Sequence, residues 1–146
     1  MVVPAVLAVT LTGCAPDAYG LRSGDSVAAF PVLGEEQTER DQVTPLPETT
    51  LDADSTRYLG SDDGRSLYLG IDPEKQSVCL IATFDGDPDQ ETQACSQAVP
   101  TVATGQPVVT GSFGPGSPSY SLWNIQSIGA AEDAGWRRIS DLLWTR

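Results

Sequence analysis

The sequence predicts a mainly β fold, with α+β as the alternative, built as a small single domain around an antiparallel sheet. Three observations lead there. The chain has 146 residues, a length that one hydrophobic core can serve. Its 14 glycines and 11 prolines favour many turns over long helices, while 40% apolar and 19% charged residues stay near globular values. Short runs of β-favouring residues alternate with turn signals through the second half of the chain.

Taken in order, Val2 to Leu11 reads Val-Val-Pro-Ala-Val-Leu-Ala-Val-Thr-Leu. This uncharged run is shorter than the roughly 17 to 25 residues needed to cross a bilayer, and its length suits the core of a signal peptide. Leu11-Thr12-Gly13-Cys14 follows. It resembles the lipobox of bacterial lipoproteins, a Leu, a small residue, Gly or Ala, then Cys, at all four positions. The resemblance implies that lipoprotein-processing enzymes attach a diacylglyceryl group to the Cys14 sulfur and cut before that residue. The protein would then sit on the extracytoplasmic face of the cell membrane, held by covalent lipid with palmitate-type chains. Burial contributes about 0.8 kcal/mol per CH₂, so two or three chains anchor stably where one does not. No Lys or Arg precedes Arg22, so the basic opening of such signals lies upstream of Met1 or targeting is weak.

On this reading residues 1–13 are the signal peptide and 14–29 the lipidated cysteine and a tether. Residues 30–54 form an acidic, proline-containing arm, and 55–146 a β-rich body. The arm has no apolar stripe of its own. Phe30, Val32 and Leu33 are the residues through which the body would hold it, and Glu35 to Gln42 could form a short helix ended before Pro45.

In the body, Thr56-Arg57-Tyr58-Leu59 and Ser66-Leu67-Tyr68-Leu69-Gly70-Ile71 flank Asp63-Gly64, a strong hairpin signal. Asp72-Pro73-Glu74-Lys75 makes a second turn. Ser77 to Phe84 is apolar on both alternating faces and reads as a central strand. Asp85 to Gln93 reads as a polar loop turning into a short helix that carries Cys95. Val99-Pro100-Thr101-Val102 and Val108-Val109-Thr110 suggest two more strands, and Tyr120 to Ile125 another. The segment from Trp136 to Trp144 fits either a helical face or a strand; a strand after the Glu132-Asp133-Ala134-Gly135 turn is favoured. From about residue 55 to 100 this layout resembles small uncharacterised bacterial envelope lipoproteins, which brings no activity with it.

With Cys14 assigned to lipid, Cys79 and Cys95 remain as an even pair in an exported chain, and a disulfide is expected. Closing a loop of about 15 residues is worth roughly 3 kcal/mol in the chain-entropy view.

Charge and composition exclude several functions. The 20 acidic and 8 basic residues leave a formal charge of -12, and Lys75 is the single lysine. Nucleic acid is a poor partner for such a surface, and an anionic lipid surface would repel it. Histidine is absent, which removes the Ser-His-Asp and Cys-His arrangements and the commonest zinc ligand.

What remains is weak candidate chemistry. Asp85, Asp87, Asp89 and Glu91 alternate as calcium ligands do, but Gln90 and Ser96 stand where an EF-hand loop needs Gly and Glu. A solvated acidic segment explains them equally, and no metal or other cofactor is assigned. Trp123, Trp136 and Trp144 offer flat faces for a glycan or protein ligand, although aromatics at strand spacing are more often core. Arg137 and Arg138 offset nearby carboxylates. Asp62 with Asp63, and Asp52 with Asp54, are carboxylate pairs close in sequence without a catalytic motif around them. The reading that results is a non-catalytic envelope module with an unknown protein or glycan ligand. The alternative is a carboxylate-dependent envelope hydrolase, which requires two acids facing across a cleft about 5 to 9.5 Å apart.

Overall fold

The computed structural model describes residues 29–43, 50–85, 87–96 and 105–146. The signal segment, Cys14 and most of the tether lie outside the described residues, as does the Val99 to Val102 segment.

Among the described residues the fold is mainly β: two antiparallel sheets of four strands, with a short helix and a disulfide. The first sheet is a meander of β1 (Arg57–Asp62), β2 (Arg65–Asp72), β3 (Ser77–Phe84) and β4 (Asp87–Cys95) in the order β1-β2-β3-β4. Its first turn is the Asp63-Gly64 hairpin, and both residues have positive φ, 49° and 71°. That pair of left-handed residues matches the strand twist and is why Gly follows Asp here. The second turn is tied by the Asp72 carboxylate, which accepts the Lys75 backbone N–H at 3.1 Å and the Thr50 hydroxyl at 2.7 Å.

The second sheet contains β5 (Val109–Ser112), β6 (Ser119–Leu122), β7 (Arg137–Arg138) and β8 (Leu143–Thr145), ordered β5-β6-β8-β7. The helix α1 (Ile128–Asp133) joins β6 to β7. The segment from Trp136 to Trp144 is therefore two short strands and the turn between them, not a helix.

Alternation gives each strand a face to bury. Leu67, Leu69 and Ile71 of β2 pair with Ala82, Leu80 and Val78 of β3, so all six point the same way. They meet Tyr120, Leu122 and Leu143 of the second sheet in one buried core. Gly111 lies against the other sheet: a Cβ there would stand 3.0 Å from the Ala94 Cβ and from the Phe113 ring. At one end of the sandwich Asp62 accepts the Tyr120 hydroxyl at 3.0 Å and the Arg137 guanidinium at 3.2 Å. Burial and that bond to a carboxylate push the Tyr120 hydroxyl up to about 12.

Two local expectations are corrected. Asp87 to Cys95 is a strand at the sheet edge, not a loop leading into a helix. Only its core-facing side needs apolar residues, and Ala94 supplies one. Of the expected Glu132 to Gly135 turn, Glu132 and Asp133 end α1 and only Ala134 and Gly135 turn the chain, and the helix's buried Ala131 packs with the tryptophans.

The disulfide joins directly paired residues of β3 and β4, Cys79 and Cys95, with Cα atoms 4.0 Å apart. The arm is held as its sequence suggested, with Phe30 and Leu33 in the main core. Instead of a helix, its described residues form single turns of 3-10 type at Pro31–Gly34, Glu39–Asp41 and, where it joins the body, Ala53–Ser55.

Candidate functional site

The arm and the body meet through one buried cation. Arg57, 5% exposed, donates to four backbone carbonyls: Val32 at 3.1 Å, Asp54 and Thr56 at 2.8 Å each, and Glu35 at 2.9 Å. A planar guanidinium suits this role because its donors fan out in fixed directions. Asp41 makes the second tie: its carboxylate accepts the Tyr58 backbone N–H at 2.9 Å and both the backbone N–H and the hydroxyl of Thr38 at 2.7 Å. Arg40 completes the contact with its guanidinium 4.0 Å above the Tyr58 ring. Tyr58 belongs to β1, an edge strand, so the arm covers backbone donors that an edge otherwise leaves open.

This docking leaves an open cleft of about 390 Å³ where the arm, β1 and two loops of the second half converge. Val32, Leu59, Ile125 and Leu142 form its apolar lining, with Tyr58 beside them and the exposed Glu35 and Asp141 at its border. A second open cleft, about 560 Å³, shares Glu35 and adds Glu36, Gln37 and Asp54 around Arg57. Sequence reading singled out none of the first cleft's residues as a site, because four separated segments supply them.

The sequence candidates are placed elsewhere. Trp123, Trp136 and Trp144 are 1%, 8% and 1% exposed, so the stacking surface suggested for them is corrected to an inner cluster beneath α1. Trp123 meets Trp136 edge to face at 6.5 Å and donates its indole N–H to Ser121 at 2.7 Å. Arg137 pairs with Asp62, and Arg138 with Asp141. Asp63 binds Arg65, and Asp52 caps the turn at Ala53–Ser55. Asp62 and Asp63 are thus engaged by different arginines, and Asp52 by the backbone N–H of Asp54.

The alternating acids after the third strand also change meaning. Asp87, Asp89 and Glu91 belong to β4, with Asp85 just before it, and the side chains of Asp87 and Asp89 lie outside the described residues. Among the described residues no three His, Cys, Asp or Glu side chains gather as a metal site. Glu91 is nevertheless distinctive. Among the described residues, both of its carboxylate oxygens, and the Gln93 amide oxygen, are buried without a hydrogen-bond partner, and burial pushes the Glu91 carboxyl up.

The first cleft combines an apolar lining with carboxylates at its border. A carboxylate pair that passes a proton needs unlike environments, normally created by burying one member. Glu35 and Asp141 are both exposed, and Asp141 is bound to Arg138. No family model, curated protein or solved structure matches the chain. Among the described residues, no helix is long and apolar enough to cross a membrane.

Proposed function

We propose that this protein is a lipid-anchored module of the bacterial cell envelope, attached through Cys14 and binding a partner without catalysis. The observation that carries the reading is cysteine use. Two of the three cysteines form the Cys79–Cys95 disulfide, a bond typical of exported domains, and the third stands at the last position of the lipobox-like Leu11-Thr12-Gly13-Cys14. The charge of -12 is compatible with covalent lipid as the means of attachment and unfavourable to adhesion on anionic lipid. The first cleft, with apolar lining and carboxylates at its border, is the surface assigned to recognition.

The reading is tested by the intact mass of the protein from the membrane fraction of a bacterial host, beside a Cys14→Ala variant. A chain beginning at Cys14 and carrying diacylglyceryl, with the variant unlipidated and released from the membrane, is the expected result. A wild-type chain that keeps residues 1–13 and carries no lipid refutes the anchor.

The hydrolase alternative draws on Glu35 and Asp141 bordering the same cleft. It requires that Glu35→Gln abolish turnover of cell-wall glycan by the wild-type protein, and the absence of any turnover removes it.

A further inference from the structure

We infer that the first cleft is a docking groove for a basic segment of a partner protein in which arginine or lysine alternates with apolar residues. This gives a ligand class to the recognition surface proposed above and rests on that reading. The groove offers two kinds of surface side by side. Val32, Leu59, Ile125 and Leu142 can cover apolar side chains and the aliphatic stems of basic ones, and Glu35 at the border can receive the cationic heads. The volume, about 390 Å³, lies within the range of roughly 300 to 1,000 Å³ common for ligand clefts.

Charge selects the sign of the partner. No hydrogen bond or ion pair engages the Glu35 side chain among the described residues, and the second cleft continues from it past Glu36 and Asp54. The cation bordering that second cleft, Arg57, is buried and already engaged by four carbonyls, so it does not neutralise these acids by direct contact. A chain of net charge -12 repels acidic peptides and phosphates. A wholly apolar ligand is also disfavoured, because it would desolvate Glu35 with nothing to replace the lost water. An extended basic segment meets both requirements. Tyr58 shows the local preference, since its ring already takes the Arg40 guanidinium at 4.0 Å.

The test uses the full chain, isotope-labelled and purified in a non-ionic detergent, titrated with a short peptide of alternating arginine and leucine while backbone amide resonances are followed. Saturable shifts centred on Val32, Leu59, Ile125 and Leu142 are expected, weakening as salt is added. Replacing the exposed pair, Glu35→Gln with Glu36→Gln, should weaken binding about three- to ten-fold without changing the fold. A matching glutamate-leucine peptide should not bind. The inference is overturned if that peptide binds equally well, if the shifts centre elsewhere, or if no shift develops at millimolar peptide. Lipid on Cys14 with no peptide binding would refute this inference alone, and peptide binding without lipid would refute only the anchor.

Discussion

The outer faces of the two sheets are covered by different physics. On the second sheet the cover is apolar: Trp123, Trp136 and Trp144 close over Ala131 of α1. On the first sheet Val43 and Leu51 of the arm pack on Cys79, Ile81 and Tyr68, while polar ties at the sheet edge, Arg57 on four carbonyls and Asp41 on the Tyr58 N–H, fix an arm whose Phe30 and Leu33 enter the main core. An apolar cover carries no titrating group and so responds little to pH. A cover held by a cation and a carboxylate can respond to pH, and it borders the cleft assigned to recognition.

The sharpest way to break that comparison is to remove one member of each cover. Trp123→Ala deletes a fully buried indole and should lower stability by about 3 to 5 kcal/mol, read from the urea midpoint, with all probes shifting together. Loss of the disulfide comes next. Replacing Cys79 and Cys95 together with alanine removes the cross-link between β3 and β4, and a cost of about 3 kcal/mol is expected. If the tryptophan variant loses less than the disulfide variant, the second sheet's cover contributes less than its burial implies.

How much of this was legible beforehand depended on how local the signal is. The Asp63-Gly64 hairpin, the apolar β3 strand and the Cys79–Cys95 pair could be read because each is decided by a few neighbouring residues or by arithmetic. The burial of Phe30 and Leu33 could be read because an arm without an amphipathic stripe must borrow a core. The β4 strand was missed because its polar residues at both alternations hide an edge strand that faces the core with Ala94. The cleft was illegible for a different reason: Val32, Leu59, Ile125 and Leu142 become neighbours only after both sheets have closed. The role of Arg57 left no sequence trace, since its partners are backbone carbonyls, which every residue has.

A gentler perturbation should separate the two covers. Arg57→Met keeps the aliphatic stem but removes the donors, leaving the carbonyls of Val32 and Glu35 without that partner. Global stability should fall by about 1.5 to 3 kcal/mol, the range for hydrogen bonds to a charged group. Faster exchange of the Tyr58 amide should accompany it, because release of the arm withdraws Asp41. Exchange within β6 and β8 should change only as much as global stability does. A uniform change across both sheets would mean that the burial of Phe30 and Leu33, rather than the Arg57 clamp, decides whether the arm stays docked.

The smallest effect concerns carboxyls of opposite sign on the first sheet. Burial raises the Asp41 and Asp72 carboxyls, but their hydrogen bonds and nearby cations outweigh it and hold both below the ordinary value of 3.8. A carboxyl with a lowered folded pKa is less protonated in the folded than in the unfolded chain, so its stabilisation is present above that value and is lost as pH falls below it. Glu91 runs the other way. Its folded pKa is raised above 4.5 by burial, so ionisation costs stability and protonation restores it as pH falls from neutral through the raised value. From these groups, stability should rise modestly on mild acidification and then fall below about pH 3.8. Glu91→Gln should abolish the rise while leaving the acid fall, and should stabilise the protein slightly at neutral pH. An unchanged rise in that variant would assign the effect to another group and leave the orphaned Glu91 oxygens without an energetic consequence.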